Sequence, residues 1–255
     1  MRIGLGLGIT HLRNGAFTPS ALPGLSAWYD PSDLSTLFQD AEGTTPVTAA
    51  GQSLGMVRDK SGNARHATQA TAAARPTWQT GLASFDGVDD FLVTPTVTWG
   101  SDEVTLVVGL RKLSDAALGI VCDLGANPSS GNGSFGLLVP QTTTYGVGWQ
   151  SRGTSLAGAL SANPRAPATF VATATGKIAS DTATIRVNGA QVASSAADQG
   201  TGNYTDAALY LGMRAGTGGP FNGHIYGMAL YNRVLSAGEL AQAEAWMAAK
   251  AGVEL

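Results

Sequence analysis

Residues 182–192 read TATIRVNGAQV. On either side of Asn188-Gly189, apolar or β-branched residues alternate with polar ones, which is the period-two pattern of a strand with one buried face. Asn-Gly is the dipeptide that two-residue type I′ turns prefer, because both central residues adopt positive φ. The stretch therefore predicts a β-hairpin.

Similar short segments lie on both sides of this hairpin. In residues 103–110, Val104, Leu106, Val108 and Leu110 alternate and should share one face. The other predicted strands fall at 25–30, 55–59, 91–94, 118–124, 134–140, 144–150, 168–175, 207–213 and 224–232. No repeat of 20–50 residues is visible, so a solenoid or propeller is not expected. Short, regularly spaced strands favour two packed antiparallel sheets.

Composition agrees with an all-β chain and limits its partners. The 255 residues include 34 glycines, and only 13% are charged, which disfavours a helical protein. The net charge is −3, so no basic field attracts nucleic acid. No apolar run is long enough to span a bilayer. The N-terminal MRIGLGLGITHLRN lacks the pattern of a signal peptide.

The two ends of the chain differ from the middle. We expect residues 1–22 to form an arm and linker that attach to a partner, with residues 23–255 forming one domain. In the arm, large residues alternate with small ones and suit strand addition to a partner's sheet edge; these are Ile3, Leu5, Leu7 and Ile9. The alternative is that they form a first strand of the same domain.

Residues 236–251 predict a C-terminal helix. Ser236 and Glu239 match an S-x-x-E capping box, and Gly252 suits a left-handed helix terminator. Leu240, Ala243 and Met247 share one face, so the helix should dock on the sheets or on a neighbour.

Three stretches carry a family resemblance. They are LPGLSAWYDPSDLSTLFQD…GTTPVTAAG (22–51), VRDKSGNARHATQATAAARPTW (57–78) followed by SFDGVDDFL (84–92), and FNGHIYGMALYNRVLSAGEL (221–240). Together they resemble the concanavalin A-like, laminin-G-like jelly-roll proteins of bacteriophage virions and prophages. The resemblance implies an all-β, two-sheet antiparallel jelly-roll sandwich.

The same resemblance implies a non-enzymatic structural protein located in the virion, as a capsid decoration protein, a head fibre or a tail-associated subunit. Its partners would be capsid or tail proteins that bind the arm. We also expect a homo-oligomer, with a trimer as the working assumption, because the Gly/Ala-rich surface permits close packing.

The stretch SFDGVDDFL has two interpretations. Asp86-Gly87 has hairpin-turn chemistry, so Asp89 and Asp90 would be capping or solvated carboxylates. Alternatively, Asp86, Asp89 and Asp90 supply part of a Ca²⁺ site, since Ca²⁺ takes six to eight oxygen ligands. The family resemblance adds weight to Ca²⁺ without identifying its ligands.

A second hypothesis is a carbohydrate-binding module that recognises a cell-surface glycan. Aromatic faces stack on sugars, and amide or guanidinium groups bind hydroxyls. The candidate residues are Tyr145, Trp149, Arg152, Asn203 and Tyr204. Because Tyr145 and Trp149 alternate along one strand, the other interpretation is that they lie in the core.

Catalytic patterns are weak, so we predict that the protein is not an enzyme; a glycan hydrolase remains a third hypothesis. No E-x-D-x-E pattern is present, and adjacent Asp102-Glu103 would point to opposite faces of a strand. GNGSFG (131–136) precedes a strand rather than a helix, which excludes a phosphate loop. The three histidines, His11, His66 and His224, lie far apart, and Cys122 is expected to be buried.

Overall fold

The computed structural model describes residues 17–125 and 127–255. The arm residues Ile3, Leu5, Leu7 and Ile9 therefore lie outside the described part of the chain. Within it, strands dominate and the single α-helix, α1, spans Ala237–Ala251. No helix in these two ranges is long and apolar enough to cross a membrane.

The described residues form seventeen strands. In chain order they are β1 Leu25–Tyr29, β2 Leu37–Phe38, β3 Met56–Val57, β4 Ala67–Thr68, β5 Thr77–Gln79, β6 Leu82–Asp86, β7 Leu92–Val97, β8 Glu103–Lys112, β9 Ile120–Leu124, β10 Ser134–Leu138, β11 Val147–Arg152, β12 Leu156–Ser161, β13 Ala168–Lys177, β14 Thr182–Val187, β15 Ala190–Ser195, β16 Ala207–Leu211 and β17 Asn222–Tyr231.

These strands make two antiparallel sheets. Sheet A has eight strands in the order β15-β14-β13-β8-β17-β6-β5, and β1 also pairs with β17. Sheet B has nine, in the order β12-β11-β10-β9-β16-β7-β4-β3-β2. Strands adjacent in sequence either pair with each other or cross from one sheet to the other, as in a jelly roll. The expected two-sheet antiparallel jelly-roll sandwich with a short C-terminal helix is confirmed.

The quoted hairpin is formed as predicted. Strands β14 and β15 pair, and the two turn residues Asn188 and Gly189 have φ of 46° and 76°. The Asn188 side chain also accepts a hydrogen bond from the Val171 N–H of β13, at 2.8 Å. This contact ties the turn to the next strand of sheet A.

The main core lies between the two sheets. Val104, Leu106, Val108 and Leu110 of β8 all point into it and are fully buried, which confirms their predicted common face. Sheet B contributes Leu124, Phe135, Leu137, Trp149 and Leu209, among others. Because alternate residues enter the core, the residues between them must face outward.

A second apolar cluster joins α1 to the outer face of sheet A. Met247 is fully buried there, against Gly109 and Gly227; a Cβ atom on either glycine would lie 3.1 or 3.2 Å from its sulfur. The helix begins as predicted, with a Ser236–Glu239 capping box, and Gly252 ends it at φ 67°. Arg233 pairs with Glu239 and donates to the Pro23 carbonyl, so it also anchors the helix start.

Aromatic and ionic contacts hold the other end of the helix on β1 and on the residue that follows it. Trp28 and Trp246 meet edge to face at 5.8 Å. Lys250 lies over the Trp246 ring and pairs with Asp30 at 2.7 Å, and Lys60 lies over the Trp28 ring. The helix is thus fixed at both ends and covers one part of sheet A.

The turn after β3 is organised by Asp59. Its carboxylate accepts hydrogen bonds from the N–H groups of Trp28, Ser61 and Arg65, at 2.8 to 3.0 Å. The Arg65 side chain in turn donates to the Ser26 carbonyl at 2.8 Å. The D-x-S-G-N stretch therefore stabilises the fold, as its turn chemistry indicated.

Some parts of the chain differ from expectation. Residues 17–22, assigned to the linker, pack on the domain: Leu22 is buried, and the Pro19 carbonyl accepts a hydrogen bond from the Tyr231 hydroxyl. The short strands β2, β4 and β5 were not predicted, and neither was β12, LAGALS, because small residues obscure its alternation. Ala157 and Ala159 nevertheless point into the core, where bulky neighbours fill the space.

Candidate functional site

A polar row crosses the part of sheet A that α1 leaves uncovered. The register aligns Thr169 of β13, Arg111 of β8, His224 of β17, Ser84 of β6 and Thr77 of β5. Neighbouring strands lie about 4.8 Å apart. All five side chains face outward and are partly or fully exposed. We call these five residues the polar row.

Arg111 is the distinctive member of the polar row. The other arginines in the described part of the chain each make a hydrogen bond, an ion pair or, for Arg58, a ring contact. Arg111 makes none of these with any described residue, and it is exposed. A guanidinium carries five donors, so this side chain presents its full hydrogen-bonding capacity to solvent.

His224 lies next to Arg111 in the register. Burial, with a smaller contribution from the positive charge of Arg111, lowers the pKa of His224 below its usual value. The imidazole is therefore neutral at pH 7 and offers one donor and one acceptor. The positively charged Arg111 therefore lies beside a neutral His224 that can both donate and accept a hydrogen bond.

Asn222 and Tyr226 extend the polar row along β17. Asn222 pairs with Asp86 on β6 and alternates with the inward-facing Gly223 and Ile225. Tyr226 is the extra residue of a β-bulge, since the register with β8 shifts between Ile225 and Gly227. Its ring is partly exposed and belongs to neither apolar cluster. A bulge of this kind re-aims a side chain.

A cavity opens beyond the polar row, at the loops that follow β6 and β8 and precede β17. Its volume is about 180 Å³, and small side chains form its walls: Gly87, Ser114, Ala116, Ala117, Pro140 and Asn222. Ala116 and Ala117 are exposed at its rim. Pockets that enclose a drug-sized ligand measure about 300–1,000 Å³, so this cavity suits one substituent or ring of a larger ligand. Asn222 belongs to both the cavity and the surface beside it.

The acidic turn adjoins the same cavity at Gly87. One oxygen from each of Asp86, Asp89 and Asp90 lies within 4.8 Å of the others. Hard oxygen donors at this separation fit a Ca²⁺ ion. Two of these carboxylates also hold the turn: Asp86 accepts from the Val88 N–H at 2.7 Å, and Asp90 accepts from the Asp86 N–H at 2.9 Å.

Asp90 differs from its neighbours in burial. It is 6% exposed, whereas Asp86 and Asp89 are exposed. Burial, with smaller contributions from the charges of Asp86 and Asp89, raises the pKa of Asp90 to about 6. The structure thus supports the turn-capping interpretation directly, and Ca²⁺ binding stays a prediction.

At the centre of the outer face of sheet B, side chains of this chain cover one another and exclude solvent. Asp123 of β9 is fully buried and pairs with Arg214 at 2.6 Å. Burial raises the pKa of Asp123 to about 6, although Arg214 opposes the shift. Among the described residues, the Asp123 Oδ1 and Arg214 Nη2 atoms find no hydrogen-bond partner. This pair braces the sheet rather than facing solvent.

The five glycan-binding candidates differ in burial, and the structure does not bring them together in one site. Trp149 is fully buried and Tyr204 is 2% exposed, so neither can stack on a ligand. Both rings pack on Phe135, at 5.4 and 5.3 Å. Both residues belong to the core. For Trp149 this is the alternative left open by the sequence, because the odd-numbered residues of β11 face the opposite sheet.

The other three candidates remain on the surface but do not form one site. Tyr145 precedes β11 and is 38% exposed. The Arg152 guanidinium donates hydrogen bonds to the carbonyls of Pro128, Ser129 and Thr154, so it stabilises a loop. Asn203 is exposed in the loop before β16.

The residues weighed for catalysis have structural partners. Glu103 pairs with Lys177 and accepts from the Val234 N–H, while Asp102 accepts from the Ala179 N–H. His66 accepts from the Asp59 N–H. Cys122 is fully buried, as expected, and burial raises its pKa well above the usual value.

The polar row was missed at the level of sequence for a clear reason. Alternation in β8 places Arg111 outward, and alternation in β17 does the same for Asn222 and His224. Nothing in the sequence shows that β8 and β17, separated by more than 100 residues, are neighbours. The tertiary pairing alone brings these side chains together.

Fold and surface together define a class: an antiparallel two-sheet sandwich with a polar, cavity-bearing surface beside a docked helix. A family model confirms the sandwich fold at finer detail. The model for the concanavalin A-like lectin/glucanases superfamily, of the laminin G type, matches residues 85–241, and the chain belongs to this family. No curated protein matches the sequence.

Solved structures are similar to this chain at low sequence identity, and those with TM-scores above 0.5 share its fold. A Trypanosoma rangeli sialidase in complex with 2,3-difluoro-KDN is 15% identical, with a TM-score of 0.58 over 89% of this chain and 33% of the sialidase. The binding domain of botulinum neurotoxin DC in complex with SialylT is 10% identical, with a TM-score of 0.57 over 91% of this chain and 52% of that one. The Ruminococcus gnavus IT-sialidase CBM40 bound to α2,3 sialyllactose is 22% identical, with a TM-score of 0.45 over 57% and 84%.

Proposed function

We propose that this protein is a non-enzymatic glycan-binding domain. Its ligand would lie on the uncovered part of sheet A, across the polar row, with one substituent in the cavity beside Asn222. Arg111, His224 and Ser84 would bind hydroxyl or charged groups, and Tyr226 would offer an apolar ring face. Tyr and Arg are residue types enriched at binding hot spots.

One observation carries the proposal. The side chains of Arg111, His224, Ser84, Asn222 and Tyr226 lie on one region of sheet A and make no hydrogen bond with any described residue, and Asn222 also lines the cavity. Rigid scaffolds bind ligands at surfaces where polar side chains such as these have no partner within the protein.

Binding is better supported than hydrolysis. A retaining glycosidase needs two accessible carboxyl groups about 5 Å apart. Asp86, Asp89 and Asp90 meet the spacing, but the buried Asp90 carboxylate is held by the Asp86 N–H and does not face a substrate. The acid with the raised pKa is therefore not presented for proton donation.

Family membership is compatible with this proposal. The family description covers lectins, which bind carbohydrate, and glucanases, which cleave it. Among the similar structures, the neurotoxin domain was solved in complex with SialylT. At 10% identity that likeness concerns the fold, so the proposal depends on the residues of this chain.

A glycan array with the full chain tests the proposal. Wild-type protein should show saturable binding to a subset of glycans. Tyr226→Ala should abolish or strongly weaken it, and Tyr145→Ala serves as the matched control, since Tyr145 is a surface tyrosine that precedes β11, a strand of the other sheet. Circular dichroism and melting temperature confirm that each variant is folded.

Two results would contradict the proposal in different ways. Absence of binding to any glycan would remove the function itself. Binding lost in Tyr145→Ala and retained in Tyr226→Ala would move the site to the loop before β11, next to the surface candidates named from the sequence.

The assembly hypotheses from the sequence stay predictions. They are a virion location, attachment of residues 1–22 to a capsid or tail protein, and a trimer. Deletion of residues 1–15 should give a folded domain that no longer joins phage particles. Normal incorporation of the truncated protein would show that the arm is not the attachment element.

A further inference from the structure

Arg111 leaves an uncompensated positive charge at the centre of the proposed glycan surface. The side chain is exposed and makes no ion pair with any carboxylate in the described ranges. The nearest acidic position in the register, Asp86 of β6, pairs with Asn222 rather than with His224, so it lies one row away and across an intervening strand. A fixed cation without a partner favours an anionic ligand.

Its neighbours suit the same ligand. His224 offers an imidazole next to the guanidinium, and Ser84 adds a hydroxyl one strand further on. The other flank of Arg111 is Thr169, a second hydroxyl. A carboxylate or sulfate accepts several hydrogen bonds at once, and charge-assisted bonds of this type are about twice as strong as neutral ones.

We infer that Arg111, flanked by His224 and Thr169, binds the anionic group of an acidic glycan, a sugar that carries a carboxylate or a sulfate. The inference rests on the proposed glycan-binding function and specifies its ligand class. Ser84 and Asn222 then bind the hydroxyls of the same or the next sugar, and the cavity accepts a neutral substituent.

The experiment compares polymers that share a backbone and differ chiefly in charge. Polygalacturonate and its fully methyl-esterified form test the carboxylate, and dextran sulfate and dextran test the sulfate. Binding of the full chain is measured by biolayer interferometry at physiological salt. We expect at least one acidic polymer to bind about tenfold or more tightly than its neutral counterpart.

Arg111→Gln removes the charge and keeps a hydrogen-bonding side chain. It should reduce affinity for the acidic polymer by about tenfold or more, and affinity for the neutral counterpart by a smaller factor, because only the charged group loses a charge-assisted bond. Arg58→Gln is the matched control: Arg58 is also exposed, and it lies over the Phe38 ring on the other sheet. It changes net charge equally, so it should leave binding unchanged.

The outcomes separate the inference from the proposed function. If neutral and acidic polymers bind equally and Arg111→Gln has no effect, the inference is wrong while glycan binding stands. If both arginine variants weaken binding alike, the attraction is a general charge effect, and Arg111 is not the site. If no glycan binds at all, the proposed function is wrong, and the inference that rests on it is wrong too.

Discussion

Replacing Asp90 by asparagine removes a carboxyl group that the folded chain prefers to keep protonated. Burial, with the charges of Asp86 and Asp89, raises the Asp90 pKa to about 6. The unfolded chain should have the usual value of about 3.9. The folded state therefore binds the Asp90 proton more tightly, and stability falls as pH rises from about 4 to about 6.

The size of this effect follows from the two pKa values. Their difference corresponds to about 3 kcal/mol once the pH exceeds both. Asparagine is neutral at every pH, and its carbonyl can still accept the Asp86 N–H bond that Asp90 accepts at 2.9 Å. Asp90→Asn should thus match wild type at pH 4 and gain up to about 3 kcal/mol at pH 7.5. For a chain of this length that is about 6–12 °C in melting temperature.

Thermal unfolding at a series of pH values measures the difference between variant and wild type. Asp89→Asn is the matched control, because Asp89 is exposed and its removal should change stability by no more than about 0.5 kcal/mol. A constant difference between Asp90→Asn and wild type across this pH range, or a less stable variant at pH 7.5, would refute the reasoning.

The same pair of proteins tests the Ca²⁺ prediction. If the three carboxylates hold Ca²⁺, excess Ca²⁺ at pH 7.5 raises the melting temperature of wild type and not of Asp90→Asn. Calorimetric titration showing no heat, together with an unchanged melting temperature, would leave these carboxylates as turn-forming groups alone.

Three further stability predictions follow from the packing. Met247→Ala should cost about 2–5 kcal/mol in urea unfolding, because the fully buried side chain fills the space over Gly109 and Gly227; a cost below 1 kcal/mol would mean that α1 is not docked there. Ser236→Ala should cost about 1 kcal/mol by the same measurement through loss of the helix cap, and Ser236→Gly only a few tenths. Arg214→Met should cost about 3–5 kcal/mol at pH 8, since it leaves Asp123 buried without its partner. That cost should shrink at pH 5, where Asp123, with its pKa already raised to about 6 by burial, takes up a proton; an equal cost at both pH values would contradict the ion pair.

Local patterns predicted most elements of this protein correctly. The Asn188-Gly189 turn, the core face of β8 and the Ser236–Glu239 cap each depend on residues within about one helical turn or one strand of each other. Such features need no knowledge of the rest of the fold, because φ preferences, alternation and capping act over a few residues.

Side-chain environments were predicted less well where they depend on which strands are neighbours. Tyr145 and Trp149 share a strand-like period, yet one is 38% exposed and the other is fully buried, because β11 begins only at Val147. Strand β12 was missed since Ala and Gly carry little β signal, and its place was set by pairing with β11.

Sequence alone thus determined an all-β chain with a capped C-terminal helix and no recognisable catalytic pattern. The tertiary structure decided which polar residues meet. Arg111 and His224 become neighbours only because β8 pairs with β17, and they stay exposed only because α1 covers the other part of sheet A. Long-range strand pairing is set by the packing of the whole core, which no local stretch of sequence encodes.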